Sequence, residues 1–108
     1  MKNQAIASSL SHVAALKELL EDLQNESVEL HEHQYHYLVF GSWVIEAGQR
    51  KKRFRFIWDG RDSYLTVSTA TFSDSHTHTE WNEMREQSGP ATSLDAFRRV
   101  RTILKDAV

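Results

Sequence analysis

QRKKRFRFIWDGRDSYLTV, residues 49–67, sets six basic side chains among Phe54, Phe56, Trp58 and Tyr64. Such a run reads either as a surface that grips nucleic acid or as two strands of an ordinary sheet. Apolar and polar positions alternate with a period of two, which selects the strands, because successive side chains of an extended chain point to opposite faces. Asp59-Gly60 between the alternating runs is a hairpin signal, since a two-residue type I′ turn needs positive φ at both central positions. That turn pairs Trp58 with Arg61, Phe56 with Ser63, Phe54 with Leu65 and Lys52 with Val67. One face then carries Phe54, Phe56, Trp58, Leu65 and Val67, and the other Lys51, Arg53, Arg55, Ile57, Asp62, Tyr64, Thr66 and Ser68. The aromatics are assigned to the core and the cations to solvent.

The same period extends from about Val28 to Phe72, so this whole stretch is expected to be antiparallel sheet. Ala47-Gly48 marks the preceding turn and joins residues 32–46, read as one strand, to residues 50–58. Within 32–46, Leu38 and Phe40 are in phase with each other and Trp43 and Ile45 with each other, but the two pairs are out of phase. Gly41 is therefore expected to hold a β-bulge. On either side the period lengthens to that of a helix. Residues 8–26 place Leu10, Val13, Leu16, Leu20 and Leu23 at steps of three and four, with Ser8 or Ser9 as cap. Residues 93–107 place Leu94, Phe97, Val100, Ile103, Leu104 and Ala107 on one face, with Thr92 and Asp95 at capping-box spacing. Residues 73–92 read as a polar loop, with one short helix over 80–87 capped by Thr79 and an extra strand in 73–79 as the alternative. The expectation is a single α+β domain: an antiparallel three-stranded meander flanked by an N-terminal and a C-terminal helix packed on one face.

Composition bounds the rest. A chain of 108 residues fits one domain, and 40% apolar with 26% charged residues is globular composition. The absence of cysteine removes disulfides, thiolate nucleophiles and cysteine zinc sites, and accords with a reducing compartment. No apolar run approaches the roughly 20 residues that span a bilayer, and the N-terminus is too interrupted for a signal peptide, so a cytoplasmic location is expected. Net charge is −2, but residues 1–49 hold two Lys/Arg against seven Asp/Glu and residues 50–108 eleven against eight, so −5 faces +3. The halves are expected to attract when packed, or to leave a basic surface on the second.

Few patterns carry chemistry. His31 and His33, and His76 and His78, each put two imidazoles on one strand face if extended, which is too few ligands for zinc unless the pairs meet. In a three-stranded meander they start at opposite ends, so no metal is expected. Ser73, Asp74, Ser75 and His76 are adjacent, whereas a working triad is assembled from distant segments. There is no GxSxG, P-loop, GxGxxG or HExxH, and no catalytic residue or cofactor is assigned.

Three surfaces are left as candidates. Lys51, Arg53, Arg55 and Tyr64 on the outer sheet face could contact phosphates and stack a base. The space between the sheet and residues 73–90, lined by Trp81 and the tyrosines, could hold a small ligand. The stretch YHYLVFGSWVI is apolar on both faces and is read as an edge strand, so Tyr35, Tyr37, Val39, Phe40, Trp43 and Val44 are expected at an interface. A homodimeric, non-enzymatic protein-interaction module is the leading expectation, with nucleic-acid binding and small-ligand binding as alternatives.

Overall fold

In a computed structural model of the chain, residues 4–73, 75, 80–84 and 92–107 are described. Helix α1 (Gln4–Leu23) leads into strands β1 (Glu29–His36), β2 (Ser42–Gly48), β3 (Lys52–Asp59), β4 (Tyr64–Thr71) and β5 (Asn82–Glu83), and helix α2 (Ser93–Asp106) follows. The strands form one antiparallel sheet in the order β1-β2-β3-β4-β5. The α+β class, the meander and the two flanking helices are as the sequence implies, with five strands in place of three.

One extra strand arises because residues 32–46 are a hairpin. The chain reverses between Tyr37 and Gly41, where Phe40 and Gly41 take φ of 55° and 71°. Val39 N–H donates to the His36 carbonyl at 3.0 Å and Ser42 N–H to the Val39 carbonyl at 3.0 Å. Tyr35 then pairs with Trp43 and His33 with Ile45. The phase slip at Gly41 was the mark of a turn, and the register shift lies instead between Leu30 and Glu32, beside His31. The other added strand, β5, pairs Asn82 with Thr69 and Glu83 with Ser68. It occupies part of the span expected as a short helix; Thr79 and residues 85–87 lie outside the described residues, as do 76–79.

The β3–β4 register also differs while the faces hold. Trp58 pairs with Leu65, Phe56 with Val67 and Phe54 with Thr69, so the loop spans 60–63. The shift from the expected pairing is an even number of residues, which leaves every side chain on its assigned face. Asp59 explains the longer loop: its Oδ1 accepts from the N–H of Arg61 at 2.9 Å and of Asp62 at 3.1 Å. Ser63, not Gly60, supplies the positive φ, at 51°. Gly60 is required for another reason, because a Cβ there would stand 2.0 Å from the Phe40 carbonyl oxygen. The β1–β2 and β3–β4 turns thus clasp each other, and the Gly60 N–H donates to Ser42 Oγ at 2.9 Å.

Both helices cover the same face of the sheet. Trp43, Ile45, Phe54, Phe56, Trp58, Leu65 and Val67 are buried there against Ala96, Phe97, Val100 and Leu104 of α2 and Ala15, Leu19 and Leu23 of α1. Thr92 caps α2, its Oγ1 accepting from Asp95 N–H at 3.1 Å. Trp43 Nε1 donates to Ser93 Oγ at 2.9 Å, which locks the helix start to the sheet. Helix α1 spans Gln4–Leu23, so Ser8 and Ser9 lie inside it and do not cap it. It buries His12, Ala15, Leu19 and Leu23, and leaves Ile6, Leu10, Val13 and Leu20 exposed.

The opposed charges of the two halves meet in ion pairs, Asp22 with Arg101 at 2.5 Å and Glu46 with Arg55 at 2.8 Å. Among the described residues no helix is long and apolar enough to cross a membrane.

The clasp at Gly60 is open to test. Gly60→Ala forces two backbones apart and is expected to lower stability by about 2–4 kcal/mol, read from urea unfolding. Gly41→Ala, whose Cβ meets only the Tyr35 hydroxyl at 3.9 Å, should lower it by about 1 kcal/mol through its positive φ. Equal effects of the two substitutions would disprove the close-approach account.

Candidate functional site

The outer sheet face assembles differently from a bare cationic patch. Arg55 Nε donates to Glu46 Oε2 at 2.9 Å, and its guanidinium lies 4.2 Å from the centre of the Trp81 ring. Arg53 lies 3.8 Å from the Phe72 ring and donates from Nε to the Arg50 carbonyl at 3.1 Å. Phe72 and Trp81 in turn meet edge to face at 6.0 Å. Arginine–aromatic stacks therefore cover one end of this face, and Lys51 has an interaction of its own. Tyr64 stands at the other end, opposite Asp59, four residue steps and roughly 13 Å from the Arg55–Ser68 pair. The structure brings Arg53 and Arg55 together and does not bring Tyr64 to them. Trp81 rests on Arg55 and Phe72, where the sheet-and-loop ligand space was expected.

The six apolar candidates also separate. Trp43 is fully buried, and the strand that carries it lies between β1 and β3, so the sheet edge is β1. Val44 is half-buried on the outer face opposite Ile57 and Gln34. Tyr35 is half-buried against the core, and Tyr37 begins the β1–β2 turn. Val39 and Phe40, with Leu38, project into solvent from that turn.

A feature that the sequence reading missed lies under α1. His12 is 6% exposed, stacks on Tyr35 with ring centres 4.1 Å apart, and meets the Phe97 ring edge-on at 5.4 Å. Its Nε2 is 2.7 Å from Nε2 of His33, and its Nδ1 has no hydrogen-bond partner. Burial, then the charge on His33, lowers the His12 pKa from 6.5 to about 4. Burial lowers that of His33 as well. Both imidazoles are neutral at pH 7, and one shared proton makes the bond between them. The hairpin puts His31 at the Gly48 end of β1, not at the Asp59-Gly60 end as a three-stranded meander would. His76, His78 and Asp74 lie outside the described residues, and among the described residues no three His, Asp or Glu side chains form a metal-holding group.

His12 is also on the wall of a cleft of about 410 Å³ at the end of the sheet where the two turns clasp. Helix α1 adds Ser8 and Ser11 to it, β1 and β3 add Tyr35 and Trp58, and the turns add Phe40 and Ser63. Thr92, Ser93 and Leu94 at the start of α2 close the fourth side. Among the described residues the hydrogen-bond partner of His12 is the imidazole of His33 and not a carboxylate.

Compared with protein-family models, with curated proteins and with solved structures, the chain finds no match.

The imidazole pair fixes a pH dependence. His12 takes up a proton near pH 6.5 when unfolded but only near pH 4 when folded. Between those values the unfolded state binds more protons, so stability falls as pH is lowered through that window. Melting followed by circular dichroism is expected to drop by several degrees between pH 7.5 and pH 5. His12→Leu should flatten that profile; a wild-type melting temperature that holds steady over the same range contradicts the buried neutral imidazole.

Proposed function

We propose that this chain is a non-enzymatic protein-interaction module that works as a homodimer, with the exposed stripe of α1 as the contact between copies. The observation that carries the reading is the spacing of that stripe. Ile6, Leu10, Val13, Lys17 and Leu20 follow one another at steps of four, three, four and three, and Leu10 and Val13 are 64% and 55% exposed. They lie roughly 140° around the helix from the buried His12–Ala15–Leu19–Leu23 face. A monomer gains nothing from a second apolar face, whereas this period is that of the seam between two like helices.

A second copy suits the stripe better than an unrelated partner because the seam is self-complementary under a two-fold axis. Ala7 and Ala14, exposed beside it, let two backbones approach closely. Lys17 interrupts the seam and lies 3.8 Å from Glu21; a lone charged seam position sets register and partner number at some cost in affinity. The apolar turn residues Leu38, Val39 and Phe40 give such a dimer a further surface for a protein partner.

The nucleic-acid reading through Lys51, Arg53, Arg55 and Tyr64 has less support, since two of its cations already hold Glu46, Phe72 and Trp81.

Light scattering during size exclusion tests the proposal. At about 100 µM the wild-type chain is expected at twice its chain mass, and Leu10→Glu with Val13→Glu at its chain mass, with a melting temperature within about 2 °C of wild type measured as a monomer. A wild-type monomer at that concentration removes the reading.

A further inference from the structure

We infer that the cleft between the two turns, α1 and the start of α2 is a binding site for an uncharged, planar small molecule that carries a hydrogen-bond acceptor on its edge. The inference is independent of the dimer, because Leu10 and Val13 do not line the cleft.

Size and wall chemistry both point there. At about 410 Å³ the cleft falls in the range of roughly 300–1,000 Å³ typical of small-molecule pockets. None of the described residues that line it is Asp, Glu, Lys or Arg. An ion entering it would leave water without a counter-charge, which disfavours anions and cations alike. The positive end of the α2 dipole does not alter this, since Asp95 occupies the first turn of that helix. Arg61 lies 5.8 Å from the Phe40 ring yet does not line the cleft.

Tyr35, Phe40 and Trp58 give the cleft aromatic walls, which favour a flat apolar body. Two hydroxyls at the start of α2 are placed to donate. Ser93 Oγ accepts the indole proton of Trp43, and Thr92 Oγ1 accepts from Asp95 N–H, which leaves both hydroxyl hydrogens to point elsewhere. A ligand carbonyl, ether or ring nitrogen at the start of α2 would take them. Phe40 adds a sign of function in the backbone: a bulky residue is held at φ 55° and is 64% exposed at the lip. Its ring covers a bound molecule from the solvent side.

The probe is 2-quinolone, neutral and planar with a carbonyl at its edge; 2-naphthoate is its anionic counterpart. Both are titrated into the Leu10→Glu/Val13→Glu chain and followed by amide chemical shifts. The site predicts saturable shifts for 2-quinolone confined to residues 8–15, 35–42, 58–63 and 92–96, with affinity at least about fivefold above that for 2-naphthoate. Phe40→Ala is expected to weaken 2-quinolone binding by about fivefold while the melting temperature stays unchanged. Failure of the double variant to be monomeric would count against the dimer alone. No saturable shifts up to the solubility limit, equal affinity for the anion, or shifts centred on the α1 stripe would overturn the cleft.

Discussion

Burial of four aromatic rings on one side of β2 and β3 is the constraint on which the rest depends. Trp43, Phe54, Phe56 and Trp58 are all buried, and both helices lie where they do because this surface has to be removed from water. Trp43 is the most committed of them. Its ring sits 4.6 Å from Phe97 and 6.5 Å from Trp58, and its only polar atom is bonded to the first turn of α2. A single residue thereby ties the sheet to the helix in both apolar and polar terms. The pleat then sends Glu46, Arg53 and Arg55 to the far face, where they pair with one another or with Phe72 and Trp81.

The architecture was legible wherever a short period was repeated. Alternation assigned Phe54, Phe56 and Trp58 to the core, where they are buried, and Thr92 with Asp95 marked the start of α2. Turns were less legible, because a glycine can serve different ends. At Gly41 it allows a left-handed reversal, while at Gly60 it makes room for the Phe40 carbonyl, and nothing local distinguishes the two. Reading Gly41 as a bulge merged two strands into one, and that error placed Trp43 and Val44 at an edge. The four-residue loop after β3 was missed for a similar reason: the Asp59 side chain, not the Asp-Gly backbone, holds the turn.

The sites were less legible than the fold. Helix α1 has apolar residues at steps of three and four along two different directions, so its period alone did not say which would face the sheet. The buried face is the one with His12, Ala15, Leu19 and Leu23, and a histidine is not a residue that sequence reasoning expects in a core. Its partner His33 stands 21 positions away, and the cleft it borders is built from four separate segments, so no motif could have revealed either. The cationic run at 50–55 was plain to see, but its aromatic partners at 72 and 81 come from beyond β4.

Helix α2 comes last in the fold, after the whole of the sheet it covers. During translation the aromatic side of β2 and β3 is therefore complete before Ala96, Phe97, Val100 and Leu104 have been made. Helix α1 can shield part of that surface by then, but the ring of Trp43 has neither Phe97 nor Ser93. For that interval the nascent chain carries an uncapped greasy sheet, the kind of intermediate that sticks to its neighbours unless a chaperone holds it.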